Sequence, residues 1–240
     1  MRAIILAGGK GTRLLPYTTL IPKPLVPLGG KFAILEIVLM QLKMAGFDHV
    51  TLAVSHLAHL ITAFCGDGTK WGLRLDYSVE ETPLSTMGPL TLIHDLPSDF
   101  LVMNGDVLCN LDFGTFLREH VQRGNQVSVA AFKRSVTIDF GVLEYDTSGQ
   151  LLSFAEKPTM HMDVSMGIYC LNRRVVEAFP SGQPYGFDNL MLDSIAAGHR
   201  TWIHSFSGYW LDIGRPEDYQ LANEQFPFLS KELGIDGWSA

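Results

Sequence analysis

"LAGGKGTRLLPYTTLIPKPLVPLGG", residues 6–30, begins where a short apolar run, Ala3–Leu6, stops at glycine. The run reads as a first β-strand, and the glycine-rich, cationic segment after it decides the fold. Gly8, Gly9 and Gly11 carry no side chain, so backbone N–H groups can close around anionic oxygens there, while Lys10, Arg13 and Lys23 bring positive charge to the same segment. The combination predicts a cradle for a triphosphate. Two better-known glycine motifs fail: Lys10 is followed by Gly11 where a Walker A loop has Ser or Thr, and a G-x-G-x-x-G fingerprint starting at Gly9 meets Leu14 at its last position.

Outward from this segment the chain alternates strand and helix signals. Phe32–Ala45 has apolar residues at helical spacing and stops at Gly46, and His49–Ser55 reads as the next strand, completing a βαβ unit. Strands are predicted over Leu73–Glu80 and Asp99–Met103, and helices over Met87–His94 and Asp112–Gln122. Val127–Phe132, Val142–Tyr145 and Leu151–Phe154 read as strands joined by turns such as Asp146–Gly149, so the second half is expected to be partly antiparallel. The fold class is therefore α/β: a Rossmann-like, mixed, mostly parallel sheet sandwiched by helices, with a small β-rich region.

Composition narrows the function. With 240 residues, 47% of them apolar and 18% charged, the chain can bury one sizeable core, and a net charge of −7 speaks against a nucleic-acid surface. Apolar runs such as Ala33–Leu42 are interrupted by Glu36 and Gln41 and fall short of the roughly 20 residues of a bilayer span. The start lacks a signal peptide's apolar stretch, so a cytoplasmic protein with no membrane partner is expected. Cys65, Cys109 and Cys170 are far apart among apolar neighbours and read as buried thiols, not as a zinc site or disulfide framework. Asp106 ends an apolar strand, and Asp212 sits in an aromatic-flanked turn after a strand over Thr201–Phe206. Two carboxylates beside a phosphate cradle suit Mg²⁺, which takes one or two of them together with phosphate oxygens and water.

Gly8 to Leu14, with Pro16, Thr18 and Pro22-Lys23-Pro24, resembles the signature of the sugar-1-phosphate nucleotidylyltransferases. Further matching segments occur in order: Glu80 with Pro83-Leu84-Ser85-Thr86, Asn104-Gly105-Asp106, Phe140-Gly141-Val142, Glu156-Lys157-Pro158, Gly167-Ile168-Tyr169 and Tyr209 to Gly214. The chain looks most similar to short bacterial enzymes for mannose 1-phosphate or heptose 1-phosphate. The resemblance implies a single catalytic domain, 1–240, with a nucleotide-binding half, 1–110, a sugar-phosphate-binding half, 111–225, and no C-terminal β-helix. It implies nucleotide contacts from Leu6, Ala7, Gly8, Gly9, Gly11, Thr12, Arg13, Glu80, Pro83, Ser85, Thr86, Asn104 and Gly105. Sugar-phosphate contacts would come from Gly141, Glu156, Lys157, Ser165, Gly167 and Tyr209, and Mg²⁺ would lie on Asp106 and Asp212. Arg13, Lys23, Asp106, Lys157 and Asp212 form the implied catalytic set. Phe187 to Leu190 and Tyr209-Trp210 are candidates to close the sugar side.

The implied reaction moves a nucleoside monophosphate from an NTP to a sugar 1-phosphate and releases pyrophosphate. The attacking phosphate oxygen is already anionic, so neutralisation and in-line alignment matter more than a base. Glu80 can only accept hydrogen bonds, and guanine offers it adjacent N1–H and N2–H₂ donors, which points to GTP. Two departures leave the base, with TTP, CTP and UTP as alternatives, and the hexose open. Leu84-Ser85-Thr86-Met87-Gly88 replaces the family's Leu-Gly-Thr-Ala-Gly, and Ser165-Met166-Gly167 replaces its Asn-Ala-Gly. A silent homologue that binds a nucleotide sugar and regulates a partner is the other reading; the complete charge set argues for the enzyme. The NTP and the sugar 1-phosphate are the expected partners, and a homo-oligomer is left open.

Overall fold

The apolar run ahead of the glycines becomes β1 (Arg2–Leu6), in the interior of a seven-stranded sheet. Its side chains alternate between two cores: Ala3 and Ile5 pack on one face, Ile4 on the other. The structure, a computed structural model, describes residues 1–238; positions 239 and 240 of the expected 1–240 domain lie outside the described residues. After β1 come the short β2 (Pro27–Leu28) and β3 (Phe32–Ala33), then α1 (Ile34–Met44), β4 (His49–Val54), α2 (Ala58–Cys65), β5 (Arg74–Val79) and β6 (Asp99–Asn104). β1 pairs in parallel with β4 and β6, and β4 in parallel with β5, which is the predicted βαβ half.

The second half contains β7 (Val107–Cys109), α3 (Phe113–Gln122), β8 (Val127–Thr137), β9 (Val142–Tyr145), β10 (Leu151–Ala155), β11 (Thr159–Asn172), α4 (Arg173–Glu177) and α5 (Phe187–Ala196). It ends with β12 (Thr201–Phe206), β13 (Trp210–Asp212), α6 (Pro216–Glu224) and α7 (Phe226–Glu232). The sheet order is β12-β8-β11-β6-β1-β4-β5, and β11 alone runs antiparallel to its neighbours. One core packs α1 and residues of α3, α6 and α7 against the sheet, and the other packs α4, α5 and residues 87–96, giving the expected sandwich. No β-helix occurs among the described residues, and no described helix is long and apolar enough to cross a membrane.

Several expectations are corrected. Met87–His94 is a 3₁₀ segment over Gly88–Leu92: the backbone turns extended at Ile93, so the helical stretch is only five residues long and closes with the tighter bonds of a 3₁₀ turn. Phe32 and Ala33 pair with β2 before α1 begins. Asp212 is the last residue of β13, which pairs with β7, and does not lie in a free turn. β11 was not foreseen: it is exposed over its first residues and buried over its last, so no single period describes it. Past Phe132 and Val164, β8 and β11 leave the sheet as a two-stranded ribbon, and the β9–β10 hairpin lies in the connection between them. The three cysteines are free and buried, and burial pushes the Cys65 and Cys109 thiols up to about 12.

Candidate active site

The carboxyl ends of β1, β4 and β6 reach the same sheet edge and open on a cavity of about 510 Å³. Leu6, Ala7, Gly8, Gly9, Lys10, Arg13 and Lys23 line one side; Glu80, Pro83, Ser85 and Thr86 another; Asn104, Gly105 and Asp106 the floor. Of the expected nucleotide residues only Gly11 and Thr12 do not line it. Gly11 shapes the loop instead: its φ is +64°, a Cβ would stand 2.9 Å from Thr18 Cγ2, and Thr18 Oγ1 donates to its carbonyl at 2.8 Å. Thr12 starts the exposed 3₁₀ turn Thr12–Leu14 that carries Arg13. Ser55 and His56 also line the cavity and were missed; their place just after β4, at the sheet's carboxyl edge, was the signal.

Lys23 is buried, 8% exposed, and its ammonium ion-pairs with Oδ2 of Asp106. The other oxygen, Oδ1, is buried with no partner among the described residues. β13 delivers Asp212 beside it: Asp212 lies opposite Val107, and the Ile213 N–H donates to the Asp106 carbonyl at 3.1 Å. Burial, and then the negative charge of Asp106, raise the Asp212 carboxyl above its ordinary 3.8, with Lys23 and Arg13 pulling the other way. Arg13 Nη1 and the Asp212 and Asp218 carboxylates all come within 3.8 Å of the point where Gly214 would carry a Cβ. No cluster of three or more His, Cys, Asp or Glu fit for a metal occurs among the described residues. Two crowded carboxylates with one orphaned oxygen do fit a Mg²⁺ ion that takes the rest of its shell from phosphate and water.

The loop at residues 84–88 is anchored from both ends. Glu80 donates its N–H to Val54 and accepts the Leu84 N–H on Oε1, so only Oε2 faces the cradle, where a Gly8 Cβ would lie 3.1 Å from it. Ser85 has φ +65°, the left-handed conformation that favours glycine, and it lines the cavity. Met87 does not narrow the cavity: it is fully buried in the second core, and its N–H donates to the Tyr185 carbonyl at 2.9 Å. Thr86 Oγ1 accepts the Phe187 N–H at 2.9 Å, tying the loop to the start of α5.

A second cavity, of about 300 Å³, shares Asn104 with the first and includes Asp212. Ser165 and Gly167 line it, with Tyr169, Phe187, Trp210 and Arg134. Gly167 has φ +75°, and a Cβ there would stand 2.6 Å from Asn104 Nδ2, so the residue must be glycine for the two cavities to meet as they do. Ser165 Oγ donates to the Tyr169 hydroxyl at 3.1 Å. Gly141, Glu156, Lys157 and Tyr209 line neither cavity. Gly141 packs under Phe154, 2.6 Å from its would-be Cβ, with Glu156 Oε2 at 3.3 Å, at the root of the hairpin. Lys157 comes next, in an exposed, left-handed position, φ +44°. The Tyr209 N–H donates to Asn110 Oδ1 at 2.7 Å. Arg134 had no signal in the sequence: it is an exposed arginine in a strand, and only the packing of the ribbon beside β13 and α5 makes it part of this cavity.

Residues 2–227 match a protein family described as nucleotidyl transferase. The chain is 32% identical to the mannose-1-phosphate guanylyltransferase catalytic subunit beta of Dictyostelium discoideum, over 99% of this chain and 70% of that protein. It is 30% identical to a UTP–glucose-1-phosphate uridylyltransferase of Synechocystis, over 98% of this chain and 68% of that protein. The chain spans 62–70% of the length of such curated relatives. The crystal structure of HddC from Yersinia pseudotuberculosis superposes with a TM-score of 0.73 at 27% identity, covering 94% of this chain and 99% of that one. The same protein has been crystallised in complex with GMP-PN.

Proposed function

We propose, on the premise that this chain belongs to the nucleotidyl transferase family and within it to the sugar-1-phosphate nucleotidylyltransferases, that it makes a nucleotide sugar from GTP and a mannose- or heptose-like sugar 1-phosphate. One observation carries the reading: two adjoining cavities meet at Asn104, with Asp106 on the wall of one and Asp212 on the wall of the other. A triphosphate in the larger and a sugar phosphate in the smaller would bring their reacting ends together at this carboxylate pair.

An oxygen of the sugar 1-phosphate then attacks the α-phosphorus in line. The new P–O bond forms as the bond to the bridging oxygen breaks, and pyrophosphate leaves with that electron pair. No proton need be removed from the attacking oxygen. The cradle of Gly8 and Gly9 receives the triphosphate on backbone N–H groups, and Arg13, free at the rim, neutralises charge that accumulates on the leaving pyrophosphate. Lys23 holds phosphate charge while fixing the orientation of Asp106. Asp106 and Asp212 would hold Mg²⁺, which when bound withdraws charge from phosphate oxygens. Gly141, Glu156, Lys157 and Tyr209 approach the acceptor from outside the smaller cavity.

GTP is preferred for two reasons. Glu80 Oε2 is a free acceptor at the cradle, and the guanylyltransferase name recurs among the relatives. Oε1 is already engaged by Leu84, so the carboxylate presents one oxygen to a base and not two. The convergence of Arg13, Lys23, Asp106 and Asp212 on one edge speaks for turnover over a purely regulatory homologue. The test is pyrophosphate release with Mg²⁺ across five nucleoside triphosphates and the 1-phosphates of mannose, glucose and heptose, with Asp106→Ala as control. A strong GTP signal lost in the control is expected. A UTP or TTP signal would keep the reaction and remove Glu80 as the base reader, and silence with nucleotide sugars still binding would favour the regulatory homologue.

A further inference from the structure

The smaller cavity has one basic residue in its wall, Arg134, and one acidic residue, Asp212. Around them stand Val164, Met166, Phe187 and Trp210, apolar or aromatic side chains that strengthen any charge interaction made inside. In the larger cavity Lys10, Arg13 and Lys23 already face the triphosphate side, and Lys23 is tied to Asp106. Arg134 is different. Among the described residues its exposed side chain makes no hydrogen bond and no ion pair, although Asp163, opposite Lys133, stands on the partner strand β11.

A sugar 1-phosphate entering this cavity brings close to two negative charges near neutral pH, since its second ionisation lies near 6. It meets a wall whose own acidic group, Asp212, repels it. Lys157, the cation implied by the family pattern, and Arg134 are both exposed, but of the two only Arg134 lines the cavity. The geometry points to Arg134 as a second ligand, in addition to Lys157, for the acceptor's 1-phosphate. This rests on the reading that the smaller cavity holds the acceptor. A guanidinium fork binds two phosphate oxygens at once and is positioned by the ribbon at the register Arg134 to Met162, three residues outward of the Ala131 to Ser165 pair. It fixes the phosphate's orientation as well as its charge, which a lysine on a flexible stem does less well. Arg134 is thus a binding residue specific to the acceptor, beside the Lys157 that the family pattern implies.

The experiment compares wild type with Arg134→Ala, Arg134→Lys and Lys157→Ala, measuring KM for mannose 1-phosphate and for GTP separately, with melting temperatures as a folding check. Arg134→Ala is expected to raise the acceptor KM at least about tenfold, the loss of hydrogen bonds to a charged group, and to leave the GTP KM within about twofold. Arg134→Lys recovers part of the loss, and Lys157→Ala loses less. Calorimetric titration with mannose 1-phosphate and with methyl mannoside adds a readout independent of turnover. The sugar phosphate binds wild type about tenfold tighter than it binds Arg134→Ala, and the uncharged glycoside does not distinguish them. An unchanged acceptor KM, parallel rises in both KM values, or equal calorimetric affinity in the two proteins would overturn the assignment. Absence of turnover in wild type with every sugar phosphate, while the calorimetric difference persists, would instead remove the proposed reaction and leave Arg134 as a phosphate ligand.

Discussion

The two cavities are built on different foundations. The larger rests on β1, β4 and β6, whose Ile4, Ile5, Leu52, Val102 and Met103 are fully buried, so the glycine loop and Asp106 ride on the most constrained part of the chain. The smaller shares this foundation on one side through Asn104 of β6, but its outer wall is the β8–β11 ribbon, and the β9–β10 hairpin lies beyond. Phe140 is 78% exposed, Tyr145 69% and Leu152 65%. A two-stranded hairpin has little stability of its own in water. Under the proposed reaction, groups that hold charge geometry during phosphoryl transfer would sit on the core, and groups that choose an acceptor on a segment held by few buried contacts, where local opening costs least.

The contrast can be broken or sharpened by substitution. Asp106→Ala should show the largest effect: kcat falls at least about 100-fold, beyond the loss typical of residues that merely support a metal's ligands, and Mg²⁺ no longer raises the melting temperature. Activity within tenfold of wild type would place the chemistry elsewhere. Gly11→Ala ranks next, because the left-handed backbone and the 2.9 Å approach to Thr18 leave no room for a Cβ; a destabilisation of about 1–3 kcal/mol in denaturant unfolding is expected. Lys157→Ala belongs to the other region. It should alter stability by less than about 0.5 kcal/mol while raising the acceptor KM a few-fold, and a large stability loss would mean that this outer segment contributes more to the fold than its exposure indicates.

Asp212→Asn tests the electrostatics. The folded carboxyl is raised above 3.8, so the folded chain holds that proton more tightly than the unfolded one. The resulting stabilisation is complete below 3.8 and is lost as pH rises through the folded value. Without Mg²⁺ the asparagine variant should melt above wild type at neutral pH, with the gap closing below 3.8, and Mg²⁺ should reverse the ranking by stabilising wild type alone. Melting temperature against pH decides it. Ser85→Gly should stabilise by under about 1 kcal/mol and leave turnover unchanged: relief of the left-handed conformation is partly offset by the greater freedom of glycine in the unfolded chain. A loss would mean that the Ser85 side chain packs in the cavity wall.

The cradle was legible because its physics is local: Gly8, Gly9 and Gly11 next to Arg13 form one continuous segment after one apolar strand. The same holds for Asp106, one residue past Gly105 at a strand end. Met87 shows the opposite case: two positions after Ser85, which lines the cleft, it turns into the second core where the chain enters the 3₁₀ turn of Gly88–Leu92, a direction that sequence does not give. β11 escaped notice because half of it belongs to the sheet and half to an exposed ribbon, and burial, not propensity, divides it.

By itself the sequence determined the alternation of strands and helices, the sheet edge at which the glycines must lie, and the inventory of charges carried there. The tertiary structure decided which of those charges meet. It paired Lys23 with Asp106 across 83 positions, set Asp212 beside them through the β7–β13 ladder, left Lys157 outside both cavities and put Arg134 into the wall of the smaller one. The reason is the range of the forces. Backbone preference and hydrophobic period act over a few neighbours and can be read along the chain, whereas a carboxylate's charge and the space beside a glycine depend on whatever the packed core brings near.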